Sequence, residues 1–220
     1  EDIKLTVQRN RMQYFYTDVQ FWGEYPEYAK VYFEKHNIHV EVTTSDMELI
    51  KEYPMEFLAI SYYSSKCVDH TRCTDNPHDT VENPNLKPTP WEWRVDPIGL
   101  YNCLTQYWDR YHMPMMIGEN GFGAIDTVEG NSVHDDYRIS YMRDHITAIK
   151  ECVEEGADIF AYCAWGPIDI VSSSTAEMSK RYGLVYVDRD DLGNGTQKRF
   201  PKDSFYWYKK VISSNGGDLS

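Results

Sequence analysis

Three short apolar runs, separated from one another by stretches with helical periodicity, do most to constrain the fold of this chain. The runs are 57–60, 115–117 and 159–165. Short apolar runs that are bounded by polar or glycine-rich sequence are typical of strands buried on both faces. Strands that alternate with helices form right-handed β/α units in a parallel sheet. The sequence therefore predicts an α/β fold in which the carboxyl ends of the strands share one functional edge.

Helical patterns fill much of the remaining sequence. Asp96 and Pro97 supply an N-cap and first-turn pair for one helix. Ser45 or Asp46 is expected to cap a shorter helix. The predicted helices cover most of 2–22, then 26–37, 47–53, a stretch from Pro97 that includes Tyr111, a stretch from Asp135 or Asp136 that ends at Gly156, and about 202–212. A predicted hairpin pairs 184–187 with 196–199.

The length of 220 residues is enough for one sizeable core, so we expect residues 1–220 to form a single domain. Residues 213–220 are expected to be a flexible tail. The segment 67–90 is polar and aperiodic. Loops of this length are uncommon unless they are functional, so we expect this one to lie over the active face.

The charge balance argues against several classes of partner. The chain has 35 acidic and 22 basic residues, a formal charge of −13, which disfavours nucleic acid and anionic membrane surfaces. It has no apolar segment long enough to cross a membrane, and its first residues lack the order of a signal peptide. The five cysteines lack the paired spacing of a zinc or redox site. We therefore expect a cytoplasmic protein that binds neither nucleic acid nor membrane.

One carboxylate follows the second apolar run. Glu119 comes directly after the residues 115–118, and Gly118 and Gly121 on either side of it let backbone and ligand approach closely. The carboxyl ends of parallel strands form the functional face of a β/α fold, so Glu119 is expected where a substrate binds. From spacing alone, a catalytic carboxylate and a glutamate that only faces water remain open alternatives.

The sequence around the predicted strands resembles glycoside hydrolase family one. Ile117-Gly118-Glu119-Asn120-Gly121 is similar to the Ile-Thr-Glu-Asn-Gly strand end of that family, whose glutamate is the nucleophile of a retaining glycosidase. Further matches follow in the family's order across nearly the whole chain. They are Asp18-Val19-Gln20, Gly23-Glu24-Tyr25-Pro26, Ile60-Ser61-Tyr62-Tyr63-Ser64, Trp93-Arg94-Val95-Asp96-Pro97-Ile98-Gly99-Leu100, Ala164-Trp165 and Lys180-Arg181-Tyr182-Gly183-Leu184-Val185-Tyr186-Val187-Asp188.

The resemblance implies the C-terminal half of a TIM (β/α)8 barrel, roughly strands 5/6 to 8 with their helices. A complete barrel typically needs about 250 residues or more, so we expect the N-terminal half to be missing from this chain. The exposed strand edges of a half-barrel would favour self-association.

The resemblance also implies the catalytic residues. A retaining glycosidase uses two carboxyl groups, one as nucleophile and one as acid/base. Glu119 is implied as the nucleophile and Tyr63 as the hydroxyl that orients it. The acid/base of the family lies in an Asn-Glu-Pro motif that this sequence lacks, and Glu24 and Glu177 match other family segments. We therefore expect this chain alone to be inactive and to need no metal or organic cofactor.

The substrate class follows from a polar stretch near the end of the chain. Plain glucosidases of the family carry Glu-Trp where this sequence has Ser172 and Ser173, with Ser174 an alternative in the register. Loss of that carboxylate removes repulsion against a 6-phosphate, and Ser172, Lys180 and Tyr182 can donate hydrogen bonds to a dianion. The stretch resembles the 6-phospho-β-glycosidase branch. A solvated polar loop is the alternative.

Two tryptophans complete the implied site. Trp165 resembles the tryptophan of the family that stacks on the non-reducing sugar ring, and Trp93 resembles a residue on the aglycone side. For Trp93, a role in the core is the alternative.

The sequence thus predicts a retaining hydrolase that cleaves a phosphorylated β-disaccharide or aryl β-glucoside through a covalent glycosyl-enzyme intermediate. Two alternatives stay open. One is a fragment of an unphosphorylated β-glucosidase or β-galactosidase, and the other is a sugar-binding half-barrel without chemistry.

Overall fold

The structure is a computed structural model that describes residues 1–74, 76 and 78–220. Its helices are α1 (Asp2–Trp22), α2 (Glu27–Lys35), α3 (Thr44–Glu52), α4 (Pro97–Tyr111), α5 (Asp136–Glu154) and α6 (Asp203–Ser213). Its strands are β1 (Leu58–Tyr62), β2 (Met115–Asn120), β3 (Ile159–Ala164), β4 (Val185–Val187) and β5 (Arg199–Pro201). This order confirms the predicted α/β class. In the described ranges, no helix is both long and apolar enough to cross a membrane.

The chain divides into two compact units. The first contains Glu1–Leu58 and Lys66–Asn83, and the second contains Ala59–Ser65 and Pro84–Ser220. That residues 1–220 form a single domain therefore stays a prediction.

The first unit is built on α1, α2 and α3. Phe15, Tyr25 and Phe33 pack together with ring centroids 5.8 to 6.0 Å apart. Cys67 pairs with Val81 in an antiparallel bridge inside the segment predicted as a long loop. Residues 75 and 77 of that segment lie outside the described residues, and its position over the active face stays a prediction.

The helix caps test the local sequence reasoning. Asp96 caps α4 as predicted, because its Oδ1 accepts a 2.8 Å hydrogen bond from Gly99 N and Pro97 occupies the first turn. The prediction of Ser45 or Asp46 as the cap of α3 is wrong. Thr43 is the N-cap, and Asp46 instead accepts a 2.8 Å hydrogen bond from Thr43 N in a reciprocal capping box.

The second unit contains a three-stranded sheet in the order β1-β2-β3, in which β2 pairs in parallel with β3. In the chain, α4 lies between β1 and β2, and α5 lies between β2 and β3. α5 packs against both α4 and α6. One cluster of the buried core of this unit comprises Phe122, Ala124, Tyr141, Met142, Ile146, Leu184, Trp207 and Val211. These contacts fix the carboxyl end of β2, where Glu119 lies.

The third apolar run forms β3, but the prediction that this strand is buried is wrong. Phe160 is 55% exposed and Cys163 is exposed as well. The reason is that β3 is the end strand of the three-stranded sheet. A groove of about 540 Å³ lies beside it, lined by residues of β3, α5 and α6 that include Val153, Ile159, Tyr208 and Ile212.

The predicted hairpin exists, with one strand shifted. β4 pairs with β5 so that Val185 lies opposite Pro201 and Val187 opposite Arg199. The predicted start of the second strand at 196 is too early, because Gln197 has a left-handed φ of 59° that a strand does not accommodate.

The end of the chain follows α6. Leu219 packs against the core, and its carbonyl accepts hydrogen bonds from Arg143 Nε at 2.8 Å and from Trp207 Nε1 at 3.4 Å. The flexibility predicted for residues 213–220 stays a prediction beside these contacts.

Candidate active site

Glu119 lies at the irregular end of β2. Ile117 pairs with Tyr162 and Asn120 pairs with Ala164, so three steps along β2 match two steps along β3. The extra residue makes a β-bulge in the stretch that carries Glu119. Bulges change the direction in which nearby side chains point and are common beside active sites. Glu119 therefore lies in a stretch of β2 where the pairing with β3 is irregular.

Tyr63 contacts this carboxylate. Its hydroxyl donates a 2.6 Å hydrogen bond to Glu119 Oε2, from the residue that follows β1. Burial and the neighbouring carboxylate raise the pKa of the Tyr63 hydroxyl. The hydroxyl therefore stays protonated and donates its hydrogen bond to the Glu119 carboxylate.

Asn120 fixes the strand end next to Glu119. Its side chain is fully buried, and its Nδ2 donates to Tyr62 O at 2.8 Å and to Tyr141 Oη at 3.1 Å. Its Oδ1 accepts from Tyr162 Oη at 2.9 Å. One amide thus joins the ends of β1, β2 and β3 to α5, and it limits the freedom of the neighbouring carboxylate. Asn120 is part of the motif around Glu119, but its structural role was not predicted from the sequence.

Aromatic rings extend from Tyr63 to the polar stretch near the end of the chain. The rings of Tyr63 and Trp93 lie 5.2 Å apart, and those of Trp93 and Tyr182 lie 6.5 Å apart. Trp165 packs edge-on against Tyr182 with a centroid distance of 6.3 Å. Trp93 and Trp165 are partly buried, so each retains an exposed surface. These rings form one continuous surface beside Glu119.

Lys180 is a buried cation among these rings. Its residue is 2% exposed, and its Nζ lies 4.3 Å from the ring centroid of Trp93, 5.4 Å from that of Trp91 and 5.6 Å from that of Tyr182. Among the residues that the structure describes, no carboxylate forms an ion pair with this ammonium. Cation–π contacts stabilise it only in part, because a buried charge without a hydrogen-bonded partner is costly. The ammonium is therefore available to an anion from outside the chain.

Ser172 lies beside the same rings. It is buried, and its Oγ lies 3.3 Å from Tyr182 Oη. Ser173 and Ser174 are exposed, so the contact with Tyr182 favours Ser172 in the register that the sequence left open. Glu177 lies near this pair, because its backbone carbonyl accepts a 2.9 Å hydrogen bond from Ser172 N. Its Oε2 accepts a 2.9 Å hydrogen bond from Trp91 Nε1, and hydrogen bonds from Thr175 and Trp91 lower its pKa.

A buried network of charged side chains, which the sequence did not predict, supports this stretch. Its members are Asp126, Asp135, Arg138, Asp169, Arg181 and Lys202. Asp126 binds Arg138 at 3.0 Å and Lys202 at 2.5 Å. Lys202 also binds Asp169 at 2.9 Å, and Arg181 lies 3.6 Å from Asp169. Asp135 and Arg138 are three residues apart, but the other members are distant from one another in sequence, so no spacing signal marks the whole network.

Metal-ligating residues are clustered elsewhere. Within the described ranges, ligand atoms close enough to share an ion occur in the group Asp2, Asp69 and His70 of the first unit. His70 already donates two 2.8 Å hydrogen bonds to Asp2, one from N and one from Nδ1, so this group is internally satisfied.

The structure brings together all the residues that the sequence singled out. They are Glu119, Tyr63, Trp93, Trp165, Ser172, Lys180 and Tyr182, and each contacts another member of the set. The roles assigned to them stay predictions. The arrangement connects one carboxylate, a set of aromatic rings and a buried cation through contacts between neighbouring side chains.

Comparison with known proteins gives consistent matches. The family model described as glycosyl hydrolase family 1 matches residues 2–217. Over 225 residues the chain is 47% identical to the phospho-cellobiase of Klebsiella oxytoca, covering 100% of this chain and 48% of that protein. It is 43% identical to the 6-phospho-beta-glucosidase AscB of Escherichia coli, covering 100% of this chain and 47% of that protein.

A solved structure matches as well. The family 1 β-glucosidase of Thermotoga maritima superposes with a TM-score of 0.84 at 31% identity, covering 99% of this chain and 48% of that one. The chain thus spans about half the length of the curated relatives it matches.

Proposed function

The chain belongs to glycosyl hydrolase family 1 and folds as one half of the family's barrel, and from this we propose that it is the C-terminal half of a 6-phospho-β-glucosidase. The substrate class is a β-glucoside that carries a 6-phosphate, either a disaccharide or an aryl glucoside. The names of its relatives, a phospho-cellobiase and a 6-phospho-beta-glucosidase, support this class.

The observation that carries the proposal is the buried ammonium of Lys180 between aromatic rings. A phosphate dianion would supply the missing counter-charge. The hydroxyls of Ser172 and Tyr182, 3.3 Å apart, would donate to other oxygens of the same group. A neutral 6-hydroxyl would leave the buried charge without a counter-ion, so the arrangement favours the phosphorylated sugar over the plain one.

Glu119 is the nucleophile in this proposal. Its carboxylate attacks the anomeric carbon and forms a glycosyl ester, while the bond from that carbon to the leaving oxygen breaks and the oxygen takes a proton from the acid/base. Tyr63 orients the carboxylate through its 2.6 Å hydrogen bond. Water then hydrolyses the ester with retention of configuration. Trp165 would stack on the sugar ring, and Trp93 would contact the aglycone.

The acid/base comes from the other half of the barrel in this proposal. The matched relatives are about twice as long as this chain. The sequence contains no Asn-Glu-Pro motif. The exposed side of β3, with Phe160 at 55% exposure, is the kind of surface that a neighbouring strand and helix would cover.

The test combines this chain with an N-terminal half that carries the Asn-Glu-Pro motif. The assembled protein is assayed with an aryl β-glucoside and with the same compound phosphorylated at its 6-position. Strong preference for the phosphorylated compound is the expected result. Preference for the plain glucoside would replace the proposal with an ordinary β-glucosidase, and absence of turnover on both would leave a sugar-binding half-barrel.

A further inference from the structure

Gly123 leaves the space through which the side chain of Lys180 passes. A Cβ placed on Gly123 would lie 2.5 Å from Lys180 Cγ, 2.8 Å from Cε and 3.2 Å from Cδ. Carbon atoms at the first two distances overlap severely. The φ of Gly123 lies outside the left-handed region, so its backbone would accept any residue. The need for glycine at this position therefore comes from Lys180 and not from the backbone.

The backbone cannot easily separate to relieve such an overlap. Ala124 and Arg181, the next residue on each segment, exchange two 2.9 Å hydrogen bonds between their N–H and carbonyl groups. On the other side of Gly123, Nη1 of Arg138 donates to Phe122 O at 3.1 Å and to Tyr182 O at 3.2 Å. Arg138 is 2% exposed, so these bonds do not compete with water. The segments 122–124 and 180–182 are thus held together on both sides of Gly123, through Arg181 and Tyr182.

The Lys180 side chain is then the part that must move. Its Cγ is close to its own backbone, so a shift there is carried to the whole stem and to the ammonium. The ammonium has little room to compensate, because it lies within 6 Å of the ring centroids of Trp91, Trp93 and Tyr182. A side chain at position 123 would therefore displace the positive charge from its place beside Ser172 and Tyr182.

We propose that Gly123 is a specificity-determining position, at which the absence of a side chain permits Lys180 to reach the 6-phosphate of the substrate. This inference rests on the proposed function, since it takes Lys180 as the ligand of the phosphate. Gly123 acts through Lys180 and is a positioning residue. Any residue with a Cβ at this position would weaken recognition of the phosphate and leave recognition of the sugar hydroxyls unchanged.

The first test needs no ligand. Lysines of the 220-residue chain are labelled with ¹³C at the ε-carbon, and the Lys180 signal is identified by its loss in Lys180→Ala. Three surrounding rings should shift this signal away from those of exposed lysines. In Gly123→Ala it should move toward the exposed position. Gly118→Ala is the matched control, because a Cβ there meets no atom closer than 3.7 Å. An unchanged Lys180 signal in Gly123→Ala would overturn the inference.

The second test is titration of the same chains with glucose 6-phosphate, with glucose as the comparison. Gly123→Ala should bind the phosphorylated sugar at least about tenfold more weakly, as expected for loss of a charge-assisted hydrogen bond, and Gly118→Ala should bind as the parent does. If Lys180→Ala loses binding and Gly123→Ala does not, the inference fails and the proposed function stands. If the parent does not bind, or Lys180→Ala binds as the parent does, the phosphate site itself is wrong and the inference falls with it.

Unfolding in denaturant tests whether Gly123→Ala affects stability through Lys180. The change Gly123→Ala should lower the free energy of unfolding more in the parent chain than in a chain that already carries Lys180→Ala. The reason is that the Lys180→Ala chain lacks the Cγ, Cδ and Cε atoms that the new methyl group would meet. If Gly123→Ala does not fold, the double variant should fold. Equal destabilisation in both backgrounds would show that Lys180 is not the reason for glycine at this position.

Discussion

Tyr63 and Glu119 are joined by a 2.6 Å hydrogen bond from the phenolic hydroxyl to Oε2, and this bond connects the ends of two neighbouring strands. Both residues belong to the second unit of the chain. This unit therefore supplies both the proposed nucleophile and a hydrogen-bond donor that contacts it.

The first prediction concerns this carboxylate in the assembled enzyme. A 2-fluoro glycoside with a good leaving group should label Glu119, because the attacking carboxylate forms the covalent intermediate. Glu119→Gln should abolish labelling and retain the fold. Tyr63→Phe should slow labelling without moving it, since it removes only the orienting donor. Peptide mapping identifies the labelled residue, and a label on another carboxylate would refute the assignment.

The second prediction is that the 220-residue chain alone does not turn over phosphorylated disaccharides. General acid catalysis contributes about a hundredfold to ten-thousandfold to such reactions, and an unactivated alkoxide leaves poorly without it. Release of glucose from rigorously purified chain is the measurement. Addition of the N-terminal half should restore activity, and measurable turnover before that addition would contradict the prediction.

The third prediction concerns self-association. The end strand β3 exposes Phe160, and strand edges of this kind pair with other chains. Sedimentation velocity should show dimers or larger species of the isolated chain. Phe160→Glu should shift the distribution toward monomer. Leu192→Glu is the control, because Leu192 is 89% exposed on the hairpin and lies outside the sheet. A monodisperse monomer of the parent chain would count against this expectation.

The fourth prediction concerns Lys180 in the assembled enzyme. Truncation of one partner of a buried charge pair costs about 2 to 5 kcal/mol, so Lys180→Ala should lower kcat/KM for the phosphorylated substrate by at least roughly thirtyfold. The unphosphorylated aryl glucoside should be nearly unaffected. Equal losses on both substrates would identify Lys180 as a structural residue.

The fifth prediction is a pH dependence of stability at His145. This imidazole is fully buried, its Nδ1 lies 2.7 Å from Tyr141 O, and burial lowers its pKa below 6.5 despite nearby carboxylates. As the pH falls below about 6.5, the unfolded chain takes up a proton that the folded chain resists. The free energy of unfolding should therefore fall, by at most about 1.4 kcal/mol per pH unit from this group.

Denaturant unfolding between pH 7.5 and 5 measures this effect, and His145→Gln should remove it. His134 provides a control of opposite sign. A 2.6 Å hydrogen bond to Asp203 raises the pKa of this exposed imidazole. Its contribution to the free energy of unfolding is therefore present at low pH and is lost as the pH rises through the raised pKa. If His145→Gln and the parent chain had the same pH profile, the buried imidazole would not be linked to folding.

Sequence reasoning succeeded where the signal was local. Asp96 and Pro97 predicted the start of α4, because capping depends on residues within one turn. Motifs identified the site residues: most of these motifs end a strand or lie in the stretch near Lys180, and the motif of Trp93 leads into α4. The cap of α3 was missed because Thr43, Ser45 and Asp46 are all competent caps within three residues.

Features that depend on distant residues could not be predicted. The network around Asp126, Arg138 and Lys202 joins positions that are far apart in the chain, and nothing in its spacing marks it. The exposure of Phe160 depends on what lies beside β3, which an apolar run does not reveal. The strand shift at Gln197 depends on one left-handed residue that has no strong preference for that conformation.

The guanidinium of Arg138, which bonds both Phe122 O and Tyr182 O, has a consequence for motion during turnover. A fluctuation that moved the segment 180–182 away from Arg138 would also disturb the segment 122–124, because Arg138 bonds both. The nucleophile and the proposed phosphate ligands should therefore open and close as one cooperative unit. In the proposed enzyme, entry of substrate and release of product would then depend on segments outside this unit.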